Sequence, residues 1–105
     1  MYREFIINNF GNVHLKGFEL LVKACEIYNA GITTMERVYT IIAADYPSVS
    51  RYSIERNIRI YIHSFEPHEL ERHLPHMYII TNKSVVAAIV AEVNKLTAKK
   101  AGRHE

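Results

Sequence analysis

The sequence predicts an all-α protein: a compact five- to six-helix domain containing a helix-turn-helix. Three observations carry that expectation. Apolar residues recur at three- and four-residue spacing through several segments, the period of a helix with one buried face. The breaks between those segments fall at Asn29-Ala30-Gly31, Tyr46-Pro47-Ser48, Pro67 and Pro75, residue types that end or interrupt helices. No repeat or low-complexity linker divides the 105 residues, a length that favours a single domain over 1–105.

The elements follow in order. Asn8-Asn9 and Gly11-Asn12 mark residues 1–12 as a loop with a short apolar lead-in, Phe5 to Ile7. The core is expected to start near residue 13 and to run to about 97. A first helix is read over 13–29, where Leu15, Phe18, Leu21, Val22, Cys25 and Tyr28 share one face; Gly17 weakens it slightly. A second helix is read over 34–45, with Thr33 and Glu36 as a capping box and Met35, Val38, Ile41 and Ile42 as its apolar side. A third follows over 51–65, with Ser48 or Ser50 as cap and Ile54, Ile58, Tyr61, Ile62 and Phe65 as a buried stripe. Residues 67–74 make a short fourth helix with proline in its first turn. Residues 77–80 have no assignable period. Thr81-Asn82 caps a last helix over 83–97, buried along Val86, Ile89, Val90, Val93 and Leu96, and a frayed basic tail covers 98–105.

The totals narrow the functional classes. The formal charge is +2 and 49% of the residues are hydrophobic, an ordinary globular balance. No apolar run approaches the roughly 20 residues of a membrane span, and no signal peptide is visible, so a cytoplasmic protein without a membrane partner is expected. The lone Cys25, set among Leu21, Val22 and Ala24, reads as a small buried hydrophobe. There is no glycine-rich phosphate loop and no nucleophile with a suggested base, so neither an enzyme nor a cofactor is expected. His68 and His73 are five apart and so do not share a helix face, whereas Glu69 and His73 do. No H-E-x-x-H is present, and no metal site is expected.

Charge distribution says more than net charge. Segment 51–63 sets Arg51, Arg56 and Arg59 against Glu55, whereas 64–80 sets Glu66, Glu69 and Glu71 against Arg72. At about 100° per residue, Arg59, His63 and Arg56 fall roughly 140–200° from Ile54, opposite the buried stripe. Ile60 lies at the edge of that face. Helices 34–45 and 51–65, joined by a turn, have the layout of a helix-turn-helix, whose second helix enters the major groove. There Arg56 and Arg59 suit guanine, Glu55 orients Arg59 or accepts from cytosine, and Ile60 suits a thymine methyl. A solvated basic face is the plain alternative. Thr81, Asn82 and Lys83 open the last helix, where free N–H groups and a cation suit a phosphate; plain capping is the alternative there. Arg51, Ser53 and His63 complete the candidate backbone contacts.

With these residues assembled, the chain resembles the C-terminal DNA-binding effector domain of the sporulation stage zero protein A family, response regulators that start sporulation in endospore-forming Firmicutes. The similarity covers roughly residues 13–97. It begins at V-H-L-K-G-F, 13–18, where the family has a histidine-x-lysine-glycine-aromatic run. It continues at I-E-R-N-I-R, 54–59, against valine-glutamate-arginine-x-isoleucine-arginine, and at T-N, 81–82, before a helix ending A-E-V-N-K-L. The resemblance implies a six-helix domain that reads double-stranded DNA through Glu55, Arg56 and Arg59 and binds tandem boxes, as a dimer on DNA. It also implies that residues 64–76 face RNA polymerase. Ser53 stands where the family has arginine, Ile60 stands where it often has histidine, and no receiver domain is expected. The reading is a sequence-specific transcriptional regulator. The rival is a small helical protein-interaction module that binds a regulator or polymerase without reading DNA.

Overall fold

The computed structural model describes residues 1–75 and 77–102, with side chains to Ala98. Six helices, and no strand among the described residues, account for the fold: α1 Tyr2–Phe10, α2 Lys16–Asn29, α3 Met35–Ala43, α4 Arg51–His63, α5 Pro67–His73 and α6 Asn82–Gly102. The all-α expectation holds. No helix among the described residues is long and apolar enough to cross a membrane.

α2 is the hub. It buries Phe18, Leu20, Leu21, Val22, Ala24 and Cys25, and packs on α1, α3, α4 and α6. It comes up tightly against α4 at Gly17. A Cβ on Gly17 would collide with the Asn57 carbonyl oxygen and the Cβ of Tyr61. The glycine read as a mild weakness of the helix is therefore what allows the α2–α4 crossing. Cys25 is fully buried, and burial pushes its thiol well above the ordinary range. Native protein should therefore leave a thiol-reactive dye unreacted at pH 8 and take it up at once in denaturant; labelling of the folded chain within seconds would contradict this burial.

The first segment departs from expectation. Residues 2–10 form a helix, not a loop, and Tyr2 and Ile6 join the core that had been expected to start near residue 13. Only two buried positions, four apart, mark its inner face, too few to reveal a helix by period. Gly11 and Asn12 do form the turn their types suggest, both at positive φ. The Asn12 amide donates to the Ser64 hydroxyl at 3.1 Å, and the Tyr61 hydroxyl donates to the Gly11 carbonyl at 2.6 Å. Burial pushes the Tyr61 phenol up to about 12, so it stays a donor across the neutral range. The turn is thereby tied to the end of α4, where Phe10 stacks on Phe65 with centroids 4.3 Å apart.

α4 follows its predicted pattern. Ser50 is the cap, its hydroxyl accepting from Ser53 N at 3.2 Å, and Ile54, Ile58, Tyr61, Ile62 and Phe65 are all buried. α3 differs in two ways. Thr34 flanks its start without a side-chain cap, so the expected Thr33–Glu36 box does not form, and Ile41 is exposed. Glu36 instead reaches Arg51 at 2.9 Å, a stronger partner for a carboxylate than a neutral N–H. The connection from α3 to α4 covers residues 44–50, longer than the roughly three- to four-residue turn of the compact motif. Tyr46 to Val49 fold as a turn with Pro47 in its second position, closed by Val49 N to the Tyr46 carbonyl at 2.9 Å.

α6 reaches Gly102, beyond the residue 97 read from the sequence, so the tail read as frayed is helical to that point; residues 103–105 lie outside the described residues. Val85, missed by the sequence reading, is buried with Val86, Ile89, Val90 and Val93. Leu96, expected in that face, is 54% exposed, and beyond Val93 it is Asn94 and Thr97 that meet the body, at Asn29 and Met1.

Candidate nucleic-acid interface

Three elements meet beside the outer face of α4. The helix itself presents Arg56, Arg59, Ile60 and His63 to solvent, as the helical count requires. Along its second half, α3, α4 and the start of α6 enclose an open groove of about 430 Å³. Arg59, His63, Thr81 and Lys83 line its walls, with Met35 and Ile62 among its apolar lining.

The charged side chains at the groove are Arg59 and Lys83 against the single carboxylate of Glu55. Glu55, half-buried, lies 3.6 Å from Arg59 one turn on, the pair expected from their spacing. Among the described residues no carboxylate comes within ion-pair distance of Arg56 or Lys83. Arg59 keeps free donors beyond Glu55, since a guanidinium carries five N–H groups. Ile60, at 49% exposure, is an aliphatic side chain in an otherwise polar face.

Three predicted contacts sit differently from expectation. Asn82 is not free to hold a phosphate. It is 8% exposed, and its amide donates to the Tyr39 hydroxyl and to the Glu55 carbonyl, both at 3.0 Å. Buried polar groups take internal partners, and these two come from α3 and α4. Asn82 is thus the pin that sets the start of α6 against α4 and places Lys83 at the groove. Burial pushes the Tyr39 phenol up, against the pull of the Asn82 amide. Asn82→Ala should cost about 1–3 kcal/mol in urea unfolding, because the Tyr39 hydroxyl and Glu55 carbonyl lose their donor. An unchanged midpoint would mean that the pin carries no load. Ser53 faces away from the Arg59 groove and lines a second cavity between α2 and the 44–50 connection, with Lys16 and Asn57. Arg51 is paired with Glu36 on α3, so part of its donor set is already in use.

Thr81 is engaged in capping. Its hydroxyl accepts from Ser84 N at 3.0 Å while the Ser84 hydroxyl accepts from Thr81 N at 2.8 Å, a reciprocal box with serine in the glutamate position. At this helix start that leaves Lys83 and the remaining N–H groups without a capping partner among the described residues.

Two features escaped the sequence reading. Tyr52 lies on the same outer face as Arg56, one turn earlier, and is 70% exposed. Its place follows from the helical count, but an uncharged aromatic adds nothing to a charge pattern. The other is the loop before α6, where Tyr78 is 98% exposed and Ile79 and Ile80 are exposed beside it; Ile80 also lines the groove. In segment 64–76, Phe65, Leu70 and Leu74 belong to the core, so only outward residues such as Glu66, His68, Glu71 and Arg72 are left for a partner; His76 lies outside the described residues. His73 pairs with Glu69 at 2.9 Å, as their spacing suggested. Among the described residues no group of three or more histidine, cysteine or acidic side chains converges as a metal site.

No family model, curated protein or solved structure matches the chain.

Proposed function

We propose that the protein is a sequence-specific DNA-binding regulator that lays α4 in the major groove, with α3 and α4 acting as a helix-turn-helix. The observation that carries this reading is the outer face of α4: Arg56 and Arg59 stand out from a helix whose opposite side is wholly buried. A helix fixed by its apolar face presents its polar face at a constant angle, which base reading requires. Arg56 and Arg59 read guanine, Glu55 fixes Arg59, and Ile60 meets a thymine methyl. His63 and Lys83 flank the groove and hold backbone phosphate, which sets register without sequence information. The similarity to sporulation effector domains at I-E-R-N-I-R supports the same residues. On this reading the 44–50 connection is a longer turn than the compact motif uses.

The test is a comparison of two ratios. Arg59→Ala should weaken binding to a preferred duplex by roughly 10- to 100-fold, the loss of one bidentate base contact, and random DNA by much less. Equal losses on both would reduce Arg59 to a phosphate contact and remove base reading from this residue.

The exposed Tyr78-Ile79-Ile80 loop favours a second reading, a protein-interaction module, because contiguous exposed apolar side chains mark interaction surfaces. A stoichiometric protein complex that forms without salt-dependent DNA binding, and is lost with Tyr78→Ser and Ile79→Ser, would select it.

A further inference from the structure

Tyr52 is the most exposed aromatic on any helix among the described residues, yet it is not loose. The Arg51 guanidinium lies over its ring, 5.1 Å from the centroid, and Arg51 Nη2 donates to the Tyr52 hydroxyl at 3.1 Å. Arg51 Nη1 in turn reaches Glu36 on α3 at 2.9 Å. A chain of three side chains, anchored on the neighbouring helix, thus braces an aromatic ring that buries little surface of its own. Such a brace orders groups that would otherwise keep their rotamer freedom.

The chemistry left open by this chain is one-sided. The Tyr52 oxygen accepts from Arg51, so the phenolic proton is the group free to bond outward. Arg51 has N–H groups beyond the two in use and no acceptor at all. Glu36, itself exposed on α3, offsets part of the arginine charge. The outward surface therefore offers donors to an acceptor, and an anionic oxygen suits it best. Arg56 stands one turn further along the same face, so whatever α4 reads there passes next to Tyr52.

We infer that Tyr52 and Arg51 form a clamp for one DNA backbone phosphate at the edge of the groove that α4 reads, with Arg51 tied to α3 through Glu36. The inference rests on the DNA-binding reading above. Phosphate contacts of this kind fix register and leave sequence preference to the base-reading residues.

The test uses fluorescence anisotropy with the intact chain, a duplex that it binds, random DNA, and copies of the first duplex carrying a neutral methylphosphonate at one backbone position at a time. Tyr52→Phe removes only an exposed hydroxyl and should leave the fold intact. It should weaken binding roughly 3- to 10-fold on preferred and random duplexes alike, the loss of one hydrogen bond. The salt dependence should stay unchanged, because a neutral donor releases no counterion. One methylphosphonate position should weaken the unsubstituted protein more than it weakens Tyr52→Phe, since the partner of that oxygen has already gone. If Tyr52→Phe binds every duplex as the unsubstituted chain does, the clamp is overturned and the DNA reading stands. If only Tyr52→Ala loses affinity, the ring and not the hydroxyl makes the contact, and the phosphate assignment falls. If the unsubstituted chain binds no duplex, the DNA reading fails and the clamp with it.

Discussion

Gly17→Ala destabilises the chain, against the usual sign of that substitution inside a helix. On an open face the change gains up to about 1 kcal/mol. At Gly17 the new methyl meets the Asn57 carbonyl oxygen and the Cβ of Tyr61, neither of which can swing aside like the end of a long side chain. α2 and α4 must separate, which loosens packing along the hub helix and disturbs Tyr61, the residue that bonds to the α1–α2 turn. Overpacking of this kind costs roughly 1–3 kcal/mol, and the upper end is expected where backbone is the obstacle. In thermal unfolding the midpoint should fall by roughly 10 °C or more for a domain of this size. Gly17→Val should fare worse. A midpoint that stays or rises would show that the crossing is looser than described.

The second large effect is on binding. With Arg56 and Arg59 both changed to Ala, affinity for a preferred duplex should drop roughly 10²- to 10⁴-fold, two base contacts at about 1–3 kcal/mol each. The two side chains lie one turn apart and Glu55 pairs with Arg59, so the losses need not add. Both arginines are exposed, so the unfolding midpoint should barely move. Preference among duplexes should collapse toward the level of random DNA. If the double variant keeps that preference, base reading lies elsewhere on the surface.

α4 was legible because its information is local. Ile54, Ile58, Tyr61 and Ile62 fix which side is inside, and the positions of Arg56, Arg59 and His63 then follow by geometry alone. The Glu55–Arg59 pair and the Ser50 cap are local in the same sense. Gly17 was visible as a glycine, but its reason lies in α4, some 40 residues away, and no spacing rule reaches that far. Asn82 misled for the same cause. Its position at a helix start suggested a solvent-facing cap, whereas Tyr39 and the Glu55 carbonyl, both remote in the chain, draw it inward. α1 was hidden because Tyr2 and Ile6 offer too short a pattern, and Asn8-Asn9 reads as a loop even though it is helical. Tyr52 carries no charge, so the charge pattern does not mark it, although its angle on α4 places it among the arginines.

The central claim is that α4 reads DNA, and the most direct measurement is the unsubstituted chain titrated by fluorescence anisotropy against a panel of short duplexes and random DNA at two salt concentrations. The account predicts binding that prefers one sequence over random DNA and weakens steeply as salt rises, since each neutralised phosphate contributes about −0.9 to the slope of log K against log salt. Equal binding to every duplex, or none at the lower salt, would contradict it.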